Sequence, residues 1–283
     1  MKLEKIDLYE EFGLERKESQ KGYLTCYLPD NSREINPNRK HPSILIIPGG
    51  AYMFVSFREA EPIALKFLAE GYNAFVLDYS IAPDDKYPTP LNEALMAVAY
   101  INRNAEKLNT SKELVSGIGF SAGGNLLGLL VTASDEELKN VSLSRDETRL
   151  YGAVFSYSVL SSKVNLGHAQ SFRNLTGGDE KLTESLSIEN RDFSYFPPSF
   201  IWATKNDNVV PYMNSVVLSE ILSAKGIENE CMILESGPHG GSVWDYLCYS
   251  EQQMKDFAFP PDNKKWVGAA FAFLNKVGIK IVD

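Results

Sequence analysis

The stretch Leu114-Val115-Ser116-Gly117-Ile118-Gly119-Phe120-Ser121-Ala122-Gly123 decides the fold. An apolar run of strand character ends in Gly-x-Ser-x-Gly, and a helix rich in small residues follows, so the segment reads as a strand-to-helix turn presenting Ser121. In such a turn the serine holds a strained backbone, and the residues two before and two after it approach too closely for a β-carbon. Gly119 and Gly123 meet that demand.

Working outward, β-branched and aromatic runs alternate with helix-period segments, the pattern of a mostly parallel sheet covered on both faces. The fold class expected is α/β. Strands are predicted at Tyr23 to Leu28, Ser43 to Ile47, Ala74 to Asp78, Val115 to Gly119, Gly152 to Ser156, Ser199 to Ala203 and Glu230 to Leu234. Between them, Glu61 to Glu70 closes at Gly71, and Leu91, Leu95, Val98 and Ile101 form a helical stripe behind Pro88 and Pro90. Pro211 to Lys225 reads as a helix opened by proline and stopped at Gly226, and Trp266 to Val277 as a last helix closed at Gly278. Two regions fit the alternation poorly. They are the charged start, Met1 to Gln20, and the polar excursion Ser161 to Pro198, which reads equally as a cap or binding segment and as a plain surface insertion.

The 283 residues, 44% of them hydrophobic, suffice for one large core, so a single domain is expected. No run approaches the roughly 20 apolar residues that span a bilayer, and the start Met1-Lys2-Leu3-Glu4-Lys5-Ile6-Asp7 lacks the apolar centre of a signal peptide. A soluble, cytoplasmic protein is the expectation. Cys26, Cys231 and Cys248 are odd in number and widely spaced, which argues against a disulfide framework or a zinc site. A net charge of −9 disfavours nucleic acid and anionic membranes as partners and suits a small neutral substrate. Homodimer formation is compatible with the chain, although no residue marks a dimer surface.

A serine hydroxyl needs a histidine to take its proton and an acid to orient the imidazole. Of three histidines, His41 lies in a polar stretch and His168 in the excursion, and both read as surface residues. His239 stands in Ser236-Gly237-Pro238-His239-Gly240-Gly241, just past a strand end, where open α/β sheets place their sites. Asp207 follows the strand Phe200-Ile201-Trp202-Ala203 and is the candidate acid, or else a helix-capping aspartate; Glu235 is the reserve. Catalysis also needs donors for a tetrahedral oxyanion. The N–H of Ala122 and those of Gly50 and Ala51, in Pro48-Gly49-Gly50-Ala51-Tyr52 after an early strand, are the candidates. Tyr52, Met53 and Phe54 beside that loop, and Trp244 and Tyr246 after the histidine loop, are candidate pocket walls or else core residues.

In these motifs the chain resembles the α/β-hydrolase superfamily. Specifically, it resembles the small carboxylesterases related to hormone-sensitive lipase and to bacterial acetyl esterases acting on sugars. Ile47-Pro48-Gly49-Gly50-Ala51-Tyr52 resembles the His-Gly-Gly-Gly oxyanion loop of that group, with proline for its leading histidine and Ala51 for its third glycine. Asp78-Tyr79-Ser80-Ile81-Ala82-Pro83 resembles its Asp-Tyr-Arg-Leu-Ala-Pro stretch, and the order Ser121, Asp207, His239 is that of α/β-hydrolases. The resemblance runs from about Tyr23 to the carboxyl terminus. It implies an α/β-hydrolase fold and a serine esterase acting on short acyl esters, with sugar acetates suggested by the Pro-Gly-Gly-Ala-Tyr form, and with neither metal nor organic cofactor. An arylformamidase-like amidase or a small serine peptidase would use the same machinery, and a binding protein that keeps the fold without catalysis is the alternative of another class.

Overall fold

The computed structural model describes residues 1–256 and 260–283. Its strands are β1 (Lys2–Asp7), β2 (Tyr23–Leu28), β3 (Ser43–Ile47), β4 (Asn73–Asp78), β5 (Val115–Phe120), β6 (Gly152–Ser156), β7 (Ser199–Thr204) and β8 (Asn229–Leu234). They form one sheet in the order β1-β2-β4-β3-β5-β6-β7-β8. From β4 to β8 every pairing is parallel, while β2 runs antiparallel to both β1 and β4.

The helices are α1 (Leu8–Glu11), α2 (Glu61–Ala69), α3 (Thr89–Arg103), α4 (Ala122–Val131), α5 (Asp135–Lys139), α6 (Ala169–Thr176), α7 (Glu180–Ser185), α8 (Met213–Ala224), α9 (Glu251–Asp256) and α10 (Lys265–Lys276). None of the described helices is long and apolar enough to cross a membrane.

Successive strand residues point to opposite faces, and the core divides accordingly. Leu45, Ile47, Phe75, Leu77, Phe155 and Ile201 pack with the stripe of α3, with Leu126 and Leu130 of α4 and with Leu218 and Leu222 of α8. Their neighbours Ile44, Ile46, Val76, Ile118, Val154 and Trp202 pack with Ile63 and Phe67 of α2 and with Trp266, Phe273 and Leu274 of α10. Strands covered on both sides carry no polar face, which is why the central sequences read as continuous apolar runs.

Two expectations are corrected. Residues 1–20 supply β1, an edge strand whose partly exposed side chains hide it from periodicity, and α1, capped by Asp7. Pro211 precedes α8 instead of opening it. Its carbonyl takes the Asn214 N–H at 3.0 Å in a tight turn, and the helix starts at Met213. The excursion 161–198 contains α6, α7 and a 3-10 turn at Ile188–Asn190. Its Phe172, Leu175, Leu186 and Ile188 are buried in the same layer as α3 and α4. At about 1.5–3 kcal/mol for each fully buried large apolar side chain, that contact fixes the excursion to the core.

Candidate active site

Ser121 sits between β5 and α4 at φ 50°, ψ −119°, a region that non-glycine residues occupy only under constraint. The constraint is close packing. A β-carbon on Gly119 would lie 2.5 Å from the Gly123 carbonyl oxygen, and one on Gly123 would lie 2.1 Å from that of Ile47. Ser121 N–H donates to the Ser156 carbonyl at 3.0 Å, and its own carbonyl accepts from Val159 at 3.0 Å, so the turn is held from β6.

Asp207 follows β7 with its carboxylate almost wholly buried. One oxygen, Oδ1, accepts the N–H groups of Val209 and Val210, each at 2.9 Å, which is the local turn-capping role. The other, Oδ2, lies 2.6 Å from His239 Nδ1, and His239 Nε2 lies 2.9 Å from Ser121 Oγ. Asp207 therefore caps its own turn and reaches His239 with the same carboxylate. The histidine loop is tied to the acid loop, with Gly237 N–H donating to Asn206 Oδ1 at 2.7 Å and Thr204 Oγ1 to the Gly237 carbonyl at 2.8 Å. Glu235 makes no contact with His239 among the described hydrogen bonds and ion pairs. It is exposed and pairs with Lys205 at 2.6 Å.

The turn after β3 requires unusual dihedrals. Gly50 has φ 122°, and Ala51 and Tyr52 have φ 55° and 57°. Only glycine fits at position 50, where a β-carbon would meet the Phe54 carbonyl oxygen at 2.0 Å. The Gly49 N–H donates to Glu59 Oε2 at 2.7 Å. Among the described residues no acceptor faces the N–H groups of Gly50, Ala51 or Ala122. Gly50 and Ala51 line, with Ser121 and His239, a cleft of about 460 Å³.

Other walls of the cleft are Phe54, Phe57, Arg58, Glu59, Val209 and His168. The sequence reading placed His168 on the surface. The excursion instead brings it to the cleft, where burial first and the nearby His239 second hold its pKa below the usual histidine value. His41, also read as a surface residue, is buried, with its ring nitrogens 2.7 Å from the Gly71 carbonyl and 2.7 Å from Asn31 Oδ1.

The candidate walls Tyr52, Met53 and Trp244 are corrected as well. Tyr52 points into the core and donates to Asn125 Oδ1 at 2.8 Å, Trp244 is buried against Gly237 and Gly241, and Met53 is exposed outside the cleft lining. Tyr246 is 73% exposed.

Glu59 is the residue that sequence reasoning missed. Its carboxylate is buried, one oxygen holding the Gly49 N–H and the other accepting the Tyr157 hydroxyl at 2.7 Å. Burial pushes its pKa above the ordinary carboxylate value, while these hydrogen bonds and the nearby His239 and Arg58 pull it back. Nothing in Phe57-Arg58-Glu59 distinguishes it from an ordinary charged turn. Among the described residues no group of three or more His, Cys, Asp or Glu side chains is placed to hold a metal ion.

An eight-stranded, mostly parallel sheet with a serine elbow after its fifth strand is the α/β-hydrolase fold. The BD-FAE family profile matches residues 24–222, a span that includes Ser121 and Asp207 and ends before His239. The chain belongs to the BD-FAE family. It is 35% identical over 215 residues to endo-1,4-beta-xylanase B of Butyrivibrio fibrisolvens, covering 74% of this chain and 34% of that one. To the acetylxylan esterase of Xylanibacter ruminicola it is 26% identical over 253 residues, covering 87% and 49%. The chain thus spans about a third of the first relative and about half of the second. The crystal structure of an acetyl ester-xyloside bifunctional hydrolase from Caldicellulosiruptor lactoaceticus superposes with a TM-score of 0.75 at 28% identity, covering 91% of this chain and 89% of that one.

Proposed function

We propose that this chain is a serine carboxylesterase that hydrolyses short acyl esters, with acetyl esters of sugars as the substrate class. The observation that carries the reading is the relay from Asp207 through His239 to Ser121, with links of 2.6 and 2.9 Å, at the floor of a cleft lined by Gly50 and Ala51.

In this mechanism Ser121 Oγ attacks the ester carbonyl carbon while His239 Nε2 takes its proton. The buried Asp207 keeps a proton on Nδ1, so that Nε2 is the free base, and stabilises the imidazolium. Charge moves onto the carbonyl oxygen, which is met by the N–H groups of Gly50, Ala51 and Ala122, donors that need no reorganisation. The tetrahedral intermediate collapses, and His239 returns the proton to the departing alcohol. Water, deprotonated by His239, then attacks the acyl-enzyme, and the acid leaves as Ser121 recovers its proton.

Two relatives named for acetylxylan and acetyl ester-xyloside hydrolysis support the sugar-acetate class. The apolar side chains of Phe54, Phe57 and Val209 at the cleft are suited to a small neutral ester. Three unpaired cysteines suit a reducing, cytoplasmic setting.

The test is hydrolysis of p-nitrophenyl esters from acetate to decanoate, with acetylated xylose alongside and Ser121→Ala as the control. Activity confined to short chains and the sugar acetate, with the variant down by about 10⁴- to 10⁶-fold, is the expected result. Full activity in Ser121→Ala would overturn the assignment. Silence toward every ester with cleavage of formamides would move the reaction class to an amidase.

A further inference from the structure

We infer that Asn174, on the inserted helix α6, is a positioning residue for the oxyanion turn, so that the excursion 161–198 sets the efficiency of the chemistry. The inference rests on the esterase reading above.

A peptide unit is planar, so holding its carbonyl fixes the direction of its N–H. In the turn after β3, three successive carbonyls are held. That of Gly49 accepts Ser56 N–H at 3.0 Å, and that of Gly50 accepts Met53 and Phe54 N–H at 2.9 and 3.2 Å. The third, of Ala51, accepts Asn174 Nδ2 at 2.7 Å. The first two bonds aim the N–H groups of Gly50 and Ala51. The third is different in kind, because it is made by a side chain from a segment 123 residues away.

Ala51 is the residue that needs it. Its φ of 55° lies in the left-handed region, which costs an alanine about 1–2 kcal/mol. The strain is relieved by rotating one of the two peptide planes that flank it. The Gly50 carbonyl bonds hold the plane before Ala51, and Asn174 holds the plane after it. With the second released, the Ala51–Tyr52 plane turns and displaces the Met53 and Phe54 N–H groups that lie beyond it and hold the Gly50 carbonyl, so the Ala51 N–H, which shares the plane of that carbonyl, loses its aim at the oxyanion.

Asn174 is itself aimed. Gln170, one helical turn earlier on α6, donates from Nε2 to Asn174 Oδ1 at 2.8 Å, which turns the Nδ2 end toward Ala51. The helix is anchored by the buried Phe172 and Leu175, and the Leu175 carbonyl accepts Tyr87 N–H at 2.9 Å. The residue capping its start, His168, lines the cleft, so α6 meets the site at two points.

The experiment compares wild type, Asn174→Ala, Asn174→Asp and Gln170→Leu. It measures kcat and KM on p-nitrophenyl acetate, and Ki for a trifluoromethyl ketone, which forms a hemiketal oxyanion on a reactive serine. The expected result for Asn174→Ala is a fall in kcat of about 10- to 100-fold with little change in KM, and a rise in Ki that matches the fall in kcat/KM. Asn174→Asp, which sets a carboxylate against the Ala51 carbonyl, falls at least as far. Gln170→Leu falls less but in the same direction. Because Gln170 is exposed, it keeps the inference testable if the Asn174 variants do not fold. Wild-type kcat and Ki in Asn174→Ala would overturn the inference, as would a loss confined to melting temperature and KM with Ki unmoved. A wild-type protein that neither cleaves the ester nor binds the ketone would overturn the esterase reading and the inference with it, and that result is read without any variant.

Discussion

Tyr157 and Glu59 are joined by a 2.7 Å hydrogen bond beside the imidazole of His239, which the Tyr157 ring meets edge-on with centroids 5.0 Å apart. The same hydroxyl accepts the Ser242 N–H at 3.2 Å, and the far oxygen of Glu59 holds Gly49. One buried carboxylate therefore connects the turn after β3 to the packing of the histidine. Tyr157→Phe keeps the ring but leaves Glu59 Oε1 and the Ser242 N–H without their partner. The expected loss is about 1–3 kcal/mol of stability, read as a lower urea midpoint at unchanged slope. An unchanged midpoint would mean that the hydroxyl contributes nothing to holding this cluster.

Asp207→Asn separates the two roles of that side chain. The two N–H donors from Val209 and Val210 keep an oxygen at the Oδ1 position, so the amide nitrogen takes the place of Oδ2 and faces His239. Nδ1 must then accept, and the ring proton moves to Nε2, opposite Ser121. A base that already carries its proton cannot take another from serine. Turnover should fall by about 10⁴-fold while the melting temperature stays close to wild type. Turnover within tenfold of wild type would remove Asp207 from the proposed relay.

Glu93, on α3, gives a pH signature outside the cleft. Its buried carboxylate accepts the Tyr9 hydroxyl at 2.9 Å, the Ser80 N–H at 2.6 Å and the Ser80 hydroxyl at 2.5 Å. Burial still dominates and, with a smaller contribution from Asp85, pushes its pKa up from 4.5 to about 7. A carboxyl raised in the folded state binds more protons there than in the unfolded chain between those two values. Its contribution to stability is therefore complete below pH 4.5 and is lost as pH rises toward 7, by about 3 kcal/mol at 1.36 kcal/mol per unit. Urea midpoints of wild type and Glu93→Gln measured from pH 4.5 to 8 should diverge in slope over this window, the variant lacking the decline. Parallel curves would show that Glu93 does not titrate there.

Much of this was legible in the chain because it follows from local pattern. Strands covered on both faces are continuous apolar runs, and their turns at the carboxyl ends announced Ser121, Asp207 and His239 by glycines and by order. The edge strand β1 was not legible, since its side chains are all exposed or only partly buried and carry no apolar run. Tyr52 and Trp244 show a second limit. Adjacency to a motif says nothing of which way a ring turns, and positive φ at both residues helps direct them inward. Glu59, His168 and Asn174 lay beyond reach for a third reason. Each is a polar residue in a turn or an insertion, and its role arises only when that segment docks against a distant one.

The arrangement of the sheet has a practical consequence. Lys2 pairs with Leu28, at the end of β2 opposite the one where Tyr23 meets Asp78, and Asp78 marks the carboxyl end of the parallel strands. Met1 therefore emerges at the base of the sheet, whereas the cleft opens at its top. It also lies four strands, roughly 19 Å at 4.8 Å per strand, to one side of β5. An affinity handle, a bead surface or another folded module attached at that amino group would stand clear of the mouth of the cleft.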